Sequence, residues 1–148
     1  MREGKAGLST LVVADGPLVL PRSLQNEIVA HAKAGLPNEA CGILGGRDGT
    51  VSRFFPAING QPSPYFYDID SQDLLRIVLE IEDANEDIVC IYHSHVESPA
   101  FPSRTDVELA AWPDAAYLIV SLGSEPPEVK AFAIRDGKIS RREITLTD

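Results

Sequence analysis

Two histidines one residue apart, His93 and His95, close an apolar run (Ile88–Tyr92), and Asp106 follows eleven positions after the second of them. In a strand, residues i and i+2 face the same side, so both imidazoles can converge on one ion; in a helix they would point about 200° apart. A carboxylate from the next element would add a third ligand. Three nitrogen and oxygen ligands with a fourth position left to water is the arrangement of catalytic zinc, whereas a structural zinc is closed by a fourth protein ligand. The chain has no cysteine pair with zinc-finger spacing, so the soft-ligand alternatives, copper and iron–sulfur, lose ground. The same residues carry a plainer reading. Ser103-Arg104-Thr105-Asp106 is close to a capping box, with serine as N-cap and an acid at the third helical position, where the helix dipole favours it. Capping alone would account for Ser103 and Asp106. The two readings are compatible, because a cap that fixes the helix start also fixes where the Asp106 carboxylate points.

Periodicity and turn chemistry outline the elements that must position these residues. Leu18–Leu20 reads as a short strand, and Leu24, Ile28 and Ala32 fall four apart, the repeat of a helix over about Arg22 to Ala34 that Gly35 and Pro37 end. His31 lies off that stripe and reads as a surface residue. Cys41–Gly46 and Val51–Ala57 flank Asp48-Gly49, a dipeptide that accepts the positive φ of a tight hairpin. An irregular crossing with Pro56, Pro62 and Pro64 leads through Tyr65–Tyr67 to a second helix, capped by Asp70 or Ser71, with Leu74, Leu75, Val78 and Ile81 as its buried face. Its far end is acidic (Glu80, Glu82, Asp83, Glu86, Asp87), against the helix dipole; it reads as a solvated face or as a docking patch for a basic partner. Ile88–His93 is then a buried strand. After a proline-rich loop, Ser98 to Pro102, a helix of about Arg104–Trp112 is stopped by Pro113. Ala116–Leu122, Val129–Arg135 and Lys138–Thr145 close the chain as three strands, the last two joined at Asp136-Gly137. This order predicts an α/β (α+β) fold, with helices packed on a mixed, mostly antiparallel sheet.

The chain of 148 residues, 24% charged and 44% hydrophobic, has the profile of one globular domain. Residues 1–16, rich in glycine and small residues, read as a flexible lead-in, and 17–148 as the single domain. A chain of this size buries roughly 68–70% of its unfolded surface, enough for a core without disulfides or a structural metal. Cys41 and Cys90 sit in apolar runs, the setting of buried free thiols in a reducing compartment. Thirteen Lys and Arg against 22 Asp and Glu, a net charge of −9, disfavour nucleic acid and anionic membranes as partners. No apolar run approaches the ~18 residues of a membrane span, and the start lacks the apolar segment of a secretory signal, so a cytoplasmic location is expected.

The run His93-Ser94-His95, followed by Ser103-x-x-Asp106 and preceded by Glu39 in Pro37-Asn38-Glu39-Ala40-Cys41-Gly42-Ile43-Leu44-Gly45, resembles the JAMM (MPN+) metalloprotease family over roughly residues 18–145. Tyr65-Phe66-Tyr67 with Asp70, and Pro113-Asp114-Ala115-Ala116-Tyr117 leading into a strand, agree with it. The resemblance implies an MPN core of the cytidine-deaminase-like kind. It also implies one zinc per chain held by His93, His95 and Asp106, general acid/base work by Glu39, and stabilisation of a tetrahedral intermediate by Ser103. Ser94, between the two histidines, would face the other side of the strand and take no catalytic role. Val96 stands where the deubiquitinating branch usually has proline, and the chain has little room for the long insertions with which specialised eukaryotic members grip ubiquitin.

The brevity of the chain resembles the small prokaryotic members, some of which release cysteine or another adduct from the C-terminal Gly-Gly of sulfur-carrier proteins with the ubiquitin-like fold. The resemblance therefore implies a zinc metallopeptidase or isopeptidase whose partner is a ubiquitin-like or sulfur-carrier protein ending in Gly-Gly. Two other readings compete with it: a non-catalytic MPN-type binding module, and a peptidase for small peptides. Cys41 as a nucleophile is disfavoured by its apolar neighbours. A zinc deaminase would need H-x-E and P-C-x-x-C signatures, and both are absent.

Overall fold

The computed structural model describes residues 16–148, so the expected lead-in, apart from Gly16, lies outside the described residues. In chain order the elements are β1 (Leu18–Pro21), α1 (Arg22–Ala34), β2 (Cys41–Arg47), β3 (Thr50–Ala57), α2 (Ser71–Asp83), β4 (Asp87–His95), α3 (Arg104–Leu109), β5 (Ala116–Ser121), β6 (Glu128–Arg135), β7 (Lys138–Arg142) and β8 (Ile144–Thr147). All eight strands join one sheet in the order β7-β6-β5-β4-β2-β3-β1-β8. The β2–β3, β2–β4, β5–β6 and β6–β7 pairs are antiparallel, while β4–β5, β1–β3 and β1–β8 are parallel. The sheet is thus mixed and mostly antiparallel. Among the described residues no helix is long and apolar enough to cross a membrane.

The two Asp-Gly turns form as their chemistry requires: Asp48 and Gly49 have φ of 51° and 78°, and Asp136 and Gly137 have 51° and 75°. Each face of the sheet carries its own core. On one face Ile28 and Ala32 of α1 pack with Leu44, Cys90, Tyr92 and Leu118. On the other, Ile77 and Ile81 of α2 pack with Ile43, Ile91 and Tyr117.

Four details depart from the periodicity. The expected strand Lys138–Thr145 is two strands on opposite edges of the sheet: β7 pairs with β6, while β8 runs parallel to β1 from Leu18↔Ile144 to Pro21↔Thr147. Only Glu143 separates them, so the sheet curves until its edges approach, and alternation within one strand carries no information about which edge it joins. The buried face of α2 runs through Leu74, Ile77 and Ile81, while Leu75 is 61% exposed. Leu75 and Leu79 make a second apolar stripe that the sheet does not cover. Helix α3 stops at Leu109, short of the expected Trp112, because the Tyr117 hydroxyl accepts the N–H groups of Ala111 (3.1 Å) and Trp112 (3.0 Å). His31 is not a surface residue: it is half-buried, its Nδ1 lies 3.2 Å from the Tyr92 hydroxyl, and its ring meets Phe54 and Tyr92 edge-on.

The acidic end of α2 finds partners within the chain. Arg47 donates to the carbonyls of Asn85 (2.8 Å) and Ala84 (3.3 Å), placing a cation at the negative end of the helix. Glu80 meets Arg53 and Arg76, and Glu86 accepts from Ser52 Oγ at 2.7 Å.

Where β2 passes between its neighbours, Gly42 leaves no room for a side chain: a Cβ there would stand 2.7 Å from the Phe55 carbonyl oxygen and 2.9 Å from Phe54 Cε1. The expected result of Gly42→Ala is a loss of about 1–3 kcal/mol in urea unfolding, the usual cost of overpacking a filled site.

Candidate functional site

The site is assembled at the carboxyl end of β4. Alternation along this strand sends Cys90 and Tyr92 into the α1 core and turns Ile91, His93 and His95 toward the opposite face. Asp106 comes from the first turn of α3. Ser103 Oγ accepts the Asp106 N–H at 3.0 Å and Asp106 Oδ2 accepts the Ser103 N–H at 2.8 Å, a reciprocal capping box that aims the carboxylate back at the strand. Capping and convergence therefore coexist in one residue.

His93 Nε2, His95 Nε2 and Asp106 Oδ2 form a nearly equilateral triangle with sides of 3.2, 3.1 and 3.1 Å. The three residues are 1%, 2% and 7% exposed. A tetrahedral zinc bonded to nitrogen and oxygen at about 2.0–2.2 Å asks for ligand atoms about 3.3–3.6 Å apart, within about half an ångström of the triangle's sides, so the three residues fit the ion. Outer contacts orient the rings. His95 Nδ1 donates to the Pro99 carbonyl at 2.8 Å, so that loss of the Nε2 proton would leave a lone pair on Nε2 facing the centre. The His93 ring stacks on Tyr67 with centroids 4.4 Å apart and planes 21° from parallel. Its buried Nδ1 has no hydrogen-bond partner among the described residues.

The charges in the triangle are set by burial against mutual attraction. Burial alone would raise the Asp106 carboxyl, but hydrogen bonds from His93, His95 and the Ser103 N–H hold it well below the usual carboxylate range. Burial lowers His93. His95 is also opposed by burial, yet the bonds to Asp106 and the Pro99 carbonyl leave it raised.

Glu39 precedes β2 and is 4% exposed. Its pKa is pushed up to about 8, first by burial; the charge of His95 acts against this and that of Asp106 with it. The structure thus brings Glu39 within electrostatic reach of the triangle, and its Oε1 has no hydrogen-bond partner among the described residues. Ser103 is half-buried at the start of α3; its oxygen accepts the cap bond, which leaves its own proton to donate. Cys41 is buried and its thiol is pushed up to about 12 by burial, which keeps it protonated and out of nucleophilic chemistry.

Three residues that the motif did not single out for a role also shape the site. Tyr67 stacks on His93, the Ser63 carbonyl accepts the Glu39 N–H at 2.8 Å, and Asn59 Nδ2 donates to the Glu39 carbonyl at 3.1 Å. The only local signal for Asn59 is the turn-forming Asn59-Gly60 pair.

Residues 21–135 match the family described as prokaryotic homologs of the JAB domain. The chain belongs to this family. It is 41% identical over 134 residues to the CysO-cysteine peptidase of Mycobacterium tuberculosis, covering 88% of this chain and 92% of that one. It is 39% identical over 111 residues to the desampylase of Haloferax volcanii, covering 70% and 80%. The solution structure of a protein from Desulfitobacterium hafniense superposes with a TM-score of 0.81 at 37% identity, covering 88% of this chain and 92% of the other.

The buried Glu39 makes a pH dependence measurable without metal. A group that ordinarily ionises near 4.5 but holds its proton to about 8 in the folded, metal-free protein withdraws stability as pH rises through that window, because the unfolded chain has already released the proton. In chelator-treated protein, the Tm of Glu39→Gln relative to the parent should climb between pH 5 and 8. A constant difference would show that Glu39 ionises as an ordinary exposed acid.

Proposed function

We propose that this JAB-family protein is a zinc-dependent peptidase that hydrolyses the amide or isopeptide bond after the C-terminal Gly-Gly of a ubiquitin-like or sulfur-carrier protein, with one zinc held by His93, His95 and Asp106. The observation that carries the reading is the buried triangle of two imidazole nitrogens and one carboxylate oxygen, with a second buried acid, Glu39, within electrostatic reach of it. Two imidazoles and a carboxylate also suit iron(II) in oxygenases. The adjacent buried acid and the family favour hydrolysis on zinc. The names of the two relatives, a peptidase for a carrier–cysteine adduct and an enzyme that removes a protein modifier, support the substrate class.

A zinc ion held there supplies Lewis acidity and brings the pKa of water from 15.7 down to about 7. Glu39 takes a proton from the attacking water and delivers it to the leaving amine nitrogen; burial raises its proton affinity, and the positive charge of a bound zinc would bring it back down. Ser103 donates its hydroxyl proton to the oxygen on which negative charge develops. The capping box keeps Ser103 and Asp106 in fixed relation, so the donor and the ligand move as one unit.

Two loops border the site. Residues 63–67 are tied to it through the Ser63 carbonyl and the Tyr67 ring, and residues 98–102 through the Pro99 carbonyl. They expose Tyr65, Phe66 and Phe101, apolar contacts for the body of a carrier whose glycine tail enters between them.

Elemental analysis should find one zinc per chain, with iron absent, and His95→Ala should lose it. Glu39→Gln should keep the zinc and lose cleavage of a carrier protein whose Gly-Gly is joined by an amide to cysteine. Ser103→Ala should also keep the zinc, with kcat reduced by about 10²–10³ and stability reduced by about 1 kcal/mol through the lost cap. A protein that takes up no zinc on reloading would be a binding module. One that cleaves short peptides and leaves the carrier intact would be a peptidase of another substrate class.

A further inference from the structure

The Glu39 carboxylate accepts no hydrogen bond from any described residue that would orient it, and its Oε1 is buried without a partner. Its position is therefore inherited from the backbone beneath it. The Glu39 N–H donates to the Ser63 carbonyl at 2.8 Å. The Ala40 N–H donates to Ser94 Oγ at 2.8 Å, and the Ala40 carbonyl accepts the Ser94 N–H at 3.0 Å. The remaining group, the Glu39 carbonyl, accepts from a side chain: Asn59 Nδ2 at 3.1 Å.

Asn59 lies two residues beyond the end of β3, where the chain begins its crossing to α2. Its second Nδ2 hydrogen goes to the Phe66 carbonyl at 3.3 Å, while Oδ1 accepts the N–H groups of Gln61 (3.1 Å) and Asp68 (3.0 Å). Two carbonyls face the nitrogen and two N–H groups face the oxygen, so both donor hydrogens are used, and a flipped amide would satisfy none of the four bonds. Phe66 and Asp68 flank Tyr67, the residue stacked on His93. One amide thus grips the carbonyl of Glu39 and the backbone on both sides of the ring that backs a histidine of the triangle.

We infer that Asn59 is a positioning residue: by holding the Glu39 carbonyl and the segment around Tyr67 together, it sets where the Glu39 carboxylate stands relative to His93, His95 and Asp106. The inference rests on the assignment of Glu39 as the acid/base group. The hydrogen bonds of Asn59 go to Glu39, Gln61, Phe66 and Asp68 and none to the triangle, so its loss moves the base without removing His93, His95 or Asp106. A misplacement of about 1 Å at a reacting group costs on the order of 10²-fold in rate. It falls on kcat more than on KM, because residues 98–102 make no bond to Asn59 and residues 63–67 keep the bond from the Glu39 N–H to the Ser63 carbonyl.

The test compares the full chain with Asn59→Asp, Asn59→Ser and Glu39→Gln. Asn59→Asp keeps the shape and the two accepted bonds while turning the donor into an acceptor that faces two carbonyls. Asn59→Ser is neutral and smaller, and is read in the same way if the aspartate variant does not fold. The probe is a ubiquitin-like carrier protein with cysteine joined to its Gly-Gly by an amide. Zinc per chain, Tm, KM, kcat per bound zinc, and the amide proton–nitrogen NMR signals of Glu39, Ala40 and Tyr67 are measured together. The expected result is one zinc per chain, KM within about threefold of the parent, kcat per zinc lower by about 10- to 100-fold, and displaced signals at those three residues. Unchanged kcat per zinc with unchanged signals, or a loss of rate matched by lost zinc or lost folded protein, would overturn the inference while inactive Glu39→Gln left the acid/base assignment standing. Normal cleavage by Glu39→Gln would instead overturn that assignment, and with it this inference.

Discussion

Three atoms able to bind one metal ion, two imidazole nitrogens and one carboxylate oxygen about 3 Å apart, are held where water is almost excluded. Such a cluster is tolerable only if each charge is answered, and the rest of the molecule can be followed outward from that demand. The carboxylate is answered by two imidazoles and by a backbone N–H at the start of α3, which together outweigh the burial that would otherwise protonate it. The imidazoles are answered unequally. His95 has the Pro99 carbonyl behind it, whereas His93 has the face of Tyr67 and a buried nitrogen with no partner among the described residues.

The sheet is what makes this economy of parts possible. Because β4 and β5 run parallel, the end of β4 is free of a hairpin, and the chain can leave toward α3 and return with Asp106. Because β2 runs antiparallel to β4 in the register Cys41↔His93, continuation of the ladder sets Ala40 beside Ser94 and Glu39 level with His95. Ser94 contributes through this ladder. Facing away from the triangle, it holds both backbone groups of Ala40 and so anchors the residue next to the proposed base. Gly42 permits the approach of β2 to its neighbours, where any side chain would strike the Phe55 carbonyl.

The same packing assigns the chain's two cysteines and its acidic surface to ordinary structural roles. Burial lifts both thiols to about 12, far from reactivity. The acidic residues at the end of α2, which oppose the helix dipole, are offset by Arg47 on the terminal carbonyls and by Arg53 and Arg76 on Glu80. Charge that reads in one dimension as a docking patch is therefore partly neutralised within the fold.

Wherever local physics governs, the sequence by itself determined this protein well. The bounds of α1, the Asp-Gly turns, the alternation of β4 and the capping box at Ser103 each depend on residues within a few positions of one another, and each is legible in the sequence alone. His93, His95 and Asp106 were legible as a set because a strand and the following helix are joined by a short loop, and Glu39 was drawn in only through its motif. Tertiary structure decided what depends on distant partners. It placed β7 and β8 on opposite edges of a curved sheet, turned Leu75 outward, and cut α3 short at the hydroxyl of Tyr117. It seated His31 against Tyr92 and gave Asn59 its grip on Glu39 across twenty residues. Sequence spacing records which side of its own element a residue faces, but packing and hydrogen bonding are satisfied by whatever the fold brings alongside, and that neighbour is not written nearby in the chain.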